Sequence, residues 1–116
     1  METEARTEIP PGTLYMLVLK TLARLGPTHG YGIAQHVRQI SQDVLQVEEG
    51  SLYPALQRML VKGWVVAEWS QSDNNRRARY YKLTPAGRKQ LAVEQSKWES
   101  FSRAMSLILK PTNQES

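Results

Sequence analysis

The chain has 116 residues, 41% apolar and 22% charged, with a formal net charge of +4, which fits one small globular domain and excludes a disordered chain. It has no cysteine, so disulfides, thiolate metal sites and a thiol nucleophile are excluded together, in keeping with a reducing cytoplasm. The longest strongly apolar stretch, Leu14 to Leu19, is too short to cross a bilayer, and the polar start METEARTEIPPG does not read as a signal peptide; a cytoplasmic protein with no membrane partner is expected.

Residues 1–12 read as a loose arm ending in Pro10-Pro11-Gly12. A first helix is expected to be capped by Thr13 and to stop at Gly26-Pro27. Between Leu14 and Leu19 its apolar side chains go nearly all the way round, so one side can meet its own domain while the other wants a partner. A second helix over about 30–41 presents Ile33, Val37 and Ile40 at helical spacing, followed by a polar turn at Gln42 and Asp43. A third helix, 51–62, is expected to open on Ser51 as its cap, with Pro54 in the first turn, and to end at Gly63. Leu52, Leu56, Met59 and Leu60 form its buried stripe, leaving Ser51, Pro54, Gln57 and Arg58 outward and Tyr53 on the flank.

Val65, Ala67 and Trp69 alternate as a half-buried strand, and Arg79 to Leu83 can pair with it. Between them SQSDNNRRA is rich in turn formers, a tip within a hairpin wing over 70–79. Trp64 and Trp69 are read as packing between wing and core; Tyr80 and Tyr81 face opposite ways, one inward and one toward the wing surface. Thr84-Pro85 begins a last helix to about residue 110, followed by a tail over 111–116. Its apolar residues fall in two series at seven-residue spacing: Leu91, Trp98 and Met105, and Phe101 with Ile108. Little of its own domain is left to cover them, so a second subunit is expected there, with Leu14 and Leu17 of the first helix.

Charge is unevenly spread. Residues 1–50 carry four Lys and Arg against six Asp and Glu, whereas residues 51–116 carry eleven against five. Basic charge concentrated on the third helix and the hairpin suits a polyanion. A helix followed by a basic hairpin is the layout of a winged helix-turn-helix, an α+β fold that is mainly helical, with the helix in a major groove and the wing on the backbone. Ser51 and Gln57 can bond to base edges, Arg58 to guanine or phosphate, and Arg76, Arg77 and Arg79 to backbone phosphates or a neighbouring minor groove. Tyr31, between two glycines at the second helix start, is either a phosphate donor or a buried brace. Trp98 can flank a flat aromatic ligand at a dimer axis or simply fill the dimer core. An enzyme finds no support: His29 and His36 are the only histidines, no acidic pair stands beside them, and no metal or other cofactor is implied.

Four stretches, PGTLYMLVLKTLA, HGYGIAQHV, EEGSLYPALQRMLVKGWV and ARYYKLTPAGRKQL, in this order and spacing, resemble the PadR family of bacterial transcriptional regulators over about residues 11–90. The resemblance implies a winged-helix domain, 13–83, a C-terminal dimerisation helix, 84–110, and a homodimer that represses nearby genes by binding an operator in double-stranded DNA. By motif match, GSLYPAL is the recognition helix, placing Ser51, Tyr53 and Gln57 or Arg58 at DNA. RRARYY is the wing, and Tyr31 approaches the backbone. The single short C-terminal helix resembles the compact branch of the family, some members of which bind flat aromatic compounds at the dimer interface, which keeps Trp98 in play. Two other readings stay open: a winged-helix module whose basic face meets an acidic protein, and a repressor that acts mainly as an aromatic sensor.

Overall fold

The computed structural model describes residues 9, 10, 12–71 and 74–112. Most of the expected arm and tail, and Ser72 and Asp73 at the wing tip, lie outside the described residues. Four helices and a three-stranded antiparallel sheet make up the fold: α1 Thr13–Leu25, β1 Thr28–His29, α2 Gly30–Ile40, α3 Glu49–Val61, β2 Val65–Gln71, β3 Arg77–Leu83 and α4 Pro85–Leu109. The α+β winged-helix arrangement expected from the sequence is the one observed.

The helix starts differ from expectation in instructive ways. Thr13 is the first residue of α1 rather than its cap; Gly12, at φ 89°, holds the cap position and turns the chain, a conformation open to glycine. Helix α3 begins two residues before Ser51. Ser51 therefore sits in the first turn and caps nothing, while Glu48 occupies the cap position through its backbone carbonyl, which accepts from the N–H groups of Ser51 and Leu52. Glu49 in the first turn faces the positive end of the helix dipole, which favours the earlier start. Pro54 falls inside the helix, so the Gly50 carbonyl lacks its usual donor four residues on. Helix α2 starts where expected, but its cap is His29, whose Nδ1 accepts from the Gly32 N–H at 3.0 Å.

Ile33 and Val37 of α2 are buried, whereas Ile40 is 61% exposed and leaves the expected inward stripe. The turn that follows holds Gln42 and Asp43 at positive φ. The core joins Val18, Leu19 and Leu22 of α1 to Ile33, to Leu52, Leu56 and Met59 of α3, and to Val65, Tyr81 and Leu83 of the hairpin.

The hairpin pairs Val65 with Leu83, Ala67 with Tyr81 and Trp69 with Arg79, the expected register, but continues to Gln71 and Arg77. Much of the segment expected as a turn is therefore strand. The two-residue β1 pairs Thr28 with Tyr81 and His29 with Tyr80, making the order β1-β3-β2. A two-residue strand is too short to leave a period in the sequence.

Helix α4 is capped as expected: the Thr84 hydroxyl accepts from the Gly87 N–H at 3.0 Å and lies 2.7 Å from the Gly63 carbonyl and 2.9 Å from that of Trp64. Gly87 leaves room for the Trp64 carbonyl, since a Cβ there would stand 2.1 Å from that oxygen. Leu91 is only 8% exposed and belongs to the core of its own chain, so the unpaired seam begins beyond it. Its 25 residues make α4 about 37 Å long at 1.5 Å per residue, and the molecule extends 59 × 36 × 21 Å. Among the described residues no helix is long and apolar enough to cross a membrane.

Candidate nucleic-acid interface

Burial of Leu52, Ala55, Leu56 and Met59 anchors α3 and turns its opposite side out. Ser51, Tyr53, Pro54, Gln57 and Arg58 are all exposed, as the sequence indicates. A groove runs along each flank. On the α1 side, Ser51, Pro54 and Arg58 border a groove with Ile9, Pro10 and Tyr15. On the wing side, Tyr53 borders a cleft of about 770 Å³ shared with Tyr31, Trp69, Arg76, Arg77 and Arg79. Gln57 lines neither and projects between them. A helix standing as a ridge between two grooves has the shape that enters a major groove.

Tyr31 is 68% exposed, which decides against the buried brace. Its ring stacks on His29 with centroids 6.5 Å apart, and His29 meets Tyr80 edge-on at 5.2 Å. The buried partner of the tyrosine pair is Tyr81; Tyr80 is half buried, with its hydroxyl donating to the Gln71 carbonyl at 3.4 Å. Tyr53 packs its ring against Gly30, where a Cβ would fall 2.6 Å from the phenol oxygen. Burial, then the Glu49 carboxylate, then Tyr81, raise the Tyr53 phenol above its ordinary value.

Several cations of this face lie over aromatic rings. Arg77 lies over Trp69 at 5.0 Å and Arg79 over Tyr81 at 5.8 Å. Lys62 lies over Trp64 at 5.3 Å, and Arg58 over Tyr15 at 5.7 Å while its Nε–H donates to the Tyr15 hydroxyl. Trp69 is 57% exposed, so it is no link between wing and core: it is the platform for Arg77. Trp64 does pack on the core. Among the described residues Arg58, Arg76, Arg77 and Arg79 meet no carboxylate, and their charge stays available. Tyr15, Trp69 and His29 carry structure at this face that sequence reasoning missed. Tyr15 was hidden in an apolar run, and a histidine cap leaves no Ser, Thr, Asp or Asn to flag it.

Beyond Leu91, α4 shows Trp98, 46% exposed, with Phe101 5.9 Å away between ring centroids, and then Met105 and Ile108, all exposed; Leu107 and Leu109 extend the apolar surface. Leu14 and Leu17 of α1 are half buried.

A Transcriptional regulator PadR-like family model matches residues 18–93. The transcriptional regulator Rv3488 of Mycobacterium tuberculosis is 35% identical over 75 residues, 65% of this chain and 66% of that protein. A PadR family transcription regulator from Clostridium difficile superposes with a TM-score of 0.72 at 31% identity, over 84% of this chain and 99% of that one. A transcriptional regulator from Clostridium thermocellum shares the fold, with a TM-score of 0.77 at 24% identity over 85% of this chain and 95% of that one. Carrying an exposed helix between two grooves and a wing of ring-mounted arginines, the chain belongs to the PadR-like family and is a DNA-binding transcriptional regulator.

Proposed function

We propose that the chain acts in the cytoplasm as a homodimeric repressor on a partly palindromic operator. In this reading residues 13–83 form the reading head and 84–110 the dimerisation helix. Each α3 enters a major groove with Ser51, Tyr53, Pro54, Gln57 and Arg58 toward the bases, while Arg76, Arg77 and Arg79 of the wing and Tyr31 of α2 meet phosphates. The observation that carries it is the placement of α3 as an exposed ridge with the wing arginines across one of its grooves, unpaired with acid among the described residues. Two heads related by a two-fold axis would read half-sites roughly 34 Å apart, one turn of DNA. Homodimerisation is supported by the exposed apolar seam of Trp98, Phe101, Met105 and Ile108, which no part of the described chain covers, and by Leu14 and Leu17 on α1.

Fluorescence anisotropy against the DNA upstream of the chain's own gene, with a scrambled duplex of equal length as competitor, tests the reading. A complex that survives excess scrambled DNA at physiological salt supports it. A reporter driven by that DNA must also fall in output when the protein is supplied; a rise makes the protein an activator. Equal loss to both competitors favours the module that binds an acidic protein.

A second reading, a sensor of flat aromatic compounds, draws on the exposed Trp98–Phe101 pair at the seam. Planar aromatics should quench tryptophan fluorescence in the wild type and fail to do so in Trp98→Ala; quenching that persists in the variant removes Trp98 from any such site.

A further inference from the structure

Arg58 is already held in place before any DNA arrives. Its Nε–H donates to the Tyr15 hydroxyl, a contact between α3 and α1, and its guanidinium lies over the Tyr15 ring. Tyr15 is itself braced edge-on against Trp64, with ring centroids 5.5 Å apart and planes at 86°, and both rings pack against the core. The terminal nitrogens of Arg58 have no protein partner among the described residues. A guanidinium can form a bidentate contact by its side edge, using Nε, or end-on, using both terminal nitrogens. Tyr15 takes the first edge away. What remains is an end-on fork of fixed plane, the group that matches O6 and N7 of guanine.

We propose that Tyr15 is a positioning residue for sequence reading: it restrains Arg58 to the end-on fork on the α1 flank of α3. The proposal rests on α3 being the reader. A long side chain normally loses rotamer freedom when it is immobilised at an interface, and Tyr15 imposes that loss in the free protein. With α3 as the reader and Arg58 on a guanine, that contribution goes to the base contact and not to the phosphate term shared by all sequences.

The test uses Tyr15→Phe in the full chain, which keeps the ring and its contact with Trp64 and removes only the acceptor oxygen. The wild type first selects duplexes from a random-sequence library. Affinity for the enriched duplex and for a scrambled one is then measured by anisotropy at several salt concentrations. Tyr15→Phe should weaken binding to the enriched duplex by about three- to tenfold and leave the scrambled duplex and the salt slope unchanged. In an Arg58→Lys background, where no fork exists, adding Tyr15→Phe should have no effect. Equal weakening on both duplexes, or an undiminished effect in the Arg58→Lys background, overturns the proposal. If the wild type enriches no motif, the DNA-reading assignment itself falls, an outcome distinct from either of these.

Discussion

Arg58 shows how a side chain can be legible in its place and not in its partner. Its exposure and place on α3 follow from the spacing of Leu52, Leu56 and Met59, which bury the other face. Its tie to Tyr15 does not, because the two residues are 43 apart and nothing local marks one as the acceptor of the other. Arg58→Ala should weaken binding to the preferred site by about 1–3 kcal/mol and narrow the margin over random DNA. Competition anisotropy reads both quantities, and an unchanged margin would remove Arg58 from base recognition. Tyr31 and Trp69 make the same point about surfaces: sequence offered a buried brace as one of two readings of Tyr31 and packing between wing and core for Trp69, and both side chains turn out exposed. Period tells which face of an element is buried, but for an aromatic beside a hairpin it does not tell whether another element arrives to cover it.

At the level of elements, the helices were legible because apolar spacing and glycine stops act over ten or more residues, whereas their starts depend on one or two atoms. Helix α2 depends on the imidazole of His29 in a role usually filled by Ser, Thr, Asp or Asn. His29→Ala should cost about 1 kcal/mol of stability, and His29→Asn should restore most of it. Denaturant unfolding decides this, and equal stability of all three proteins would mean the cap contributes nothing. The hairpin was legible in register but not in length, since the polar residues near its tip suit a turn and a solvated strand edge alike. Its arginines make a separable prediction. Replacing Arg76 and Arg77 together by Ala should weaken binding to every sequence and reduce the salt slope by about one unit for each phosphate that the wing no longer neutralises. A slope identical to that of the wild type would take the wing off the DNA.

For the whole molecule, the seven-residue series in α4 lies uncovered beyond Leu91, which closes the core of its own chain. The heptad pattern has no way of saying where a helix leaves its own domain. If the seam joins two copies, Trp98→Ala with Phe101→Ala should shift the protein toward monomer in analytical ultracentrifugation. The head should remain folded, because neither ring belongs to its core. DNA affinity should fall at the same time, as each head then binds with one half-site. A double variant that sediments like the wild type would place the partner surface elsewhere.

The joint between head and α4 bears on how such a protein can change over time. Gly87 sits so close to the Trp64 carbonyl that main chain meets main chain, and Thr84 ties the same turn to the Gly63 and Trp64 carbonyls. The direction in which α4 departs is therefore set by these backbone contacts, one hydroxyl and the packing of its first turns, Leu91 included, against α1 and the core, not by the rings further along it. Substitutions in the outer half of α4 can alter what that half touches without tilting the helix on its mount. A chain built on this joint can change what the outer end of α4 touches while its head keeps its own fold and its own angle to that helix.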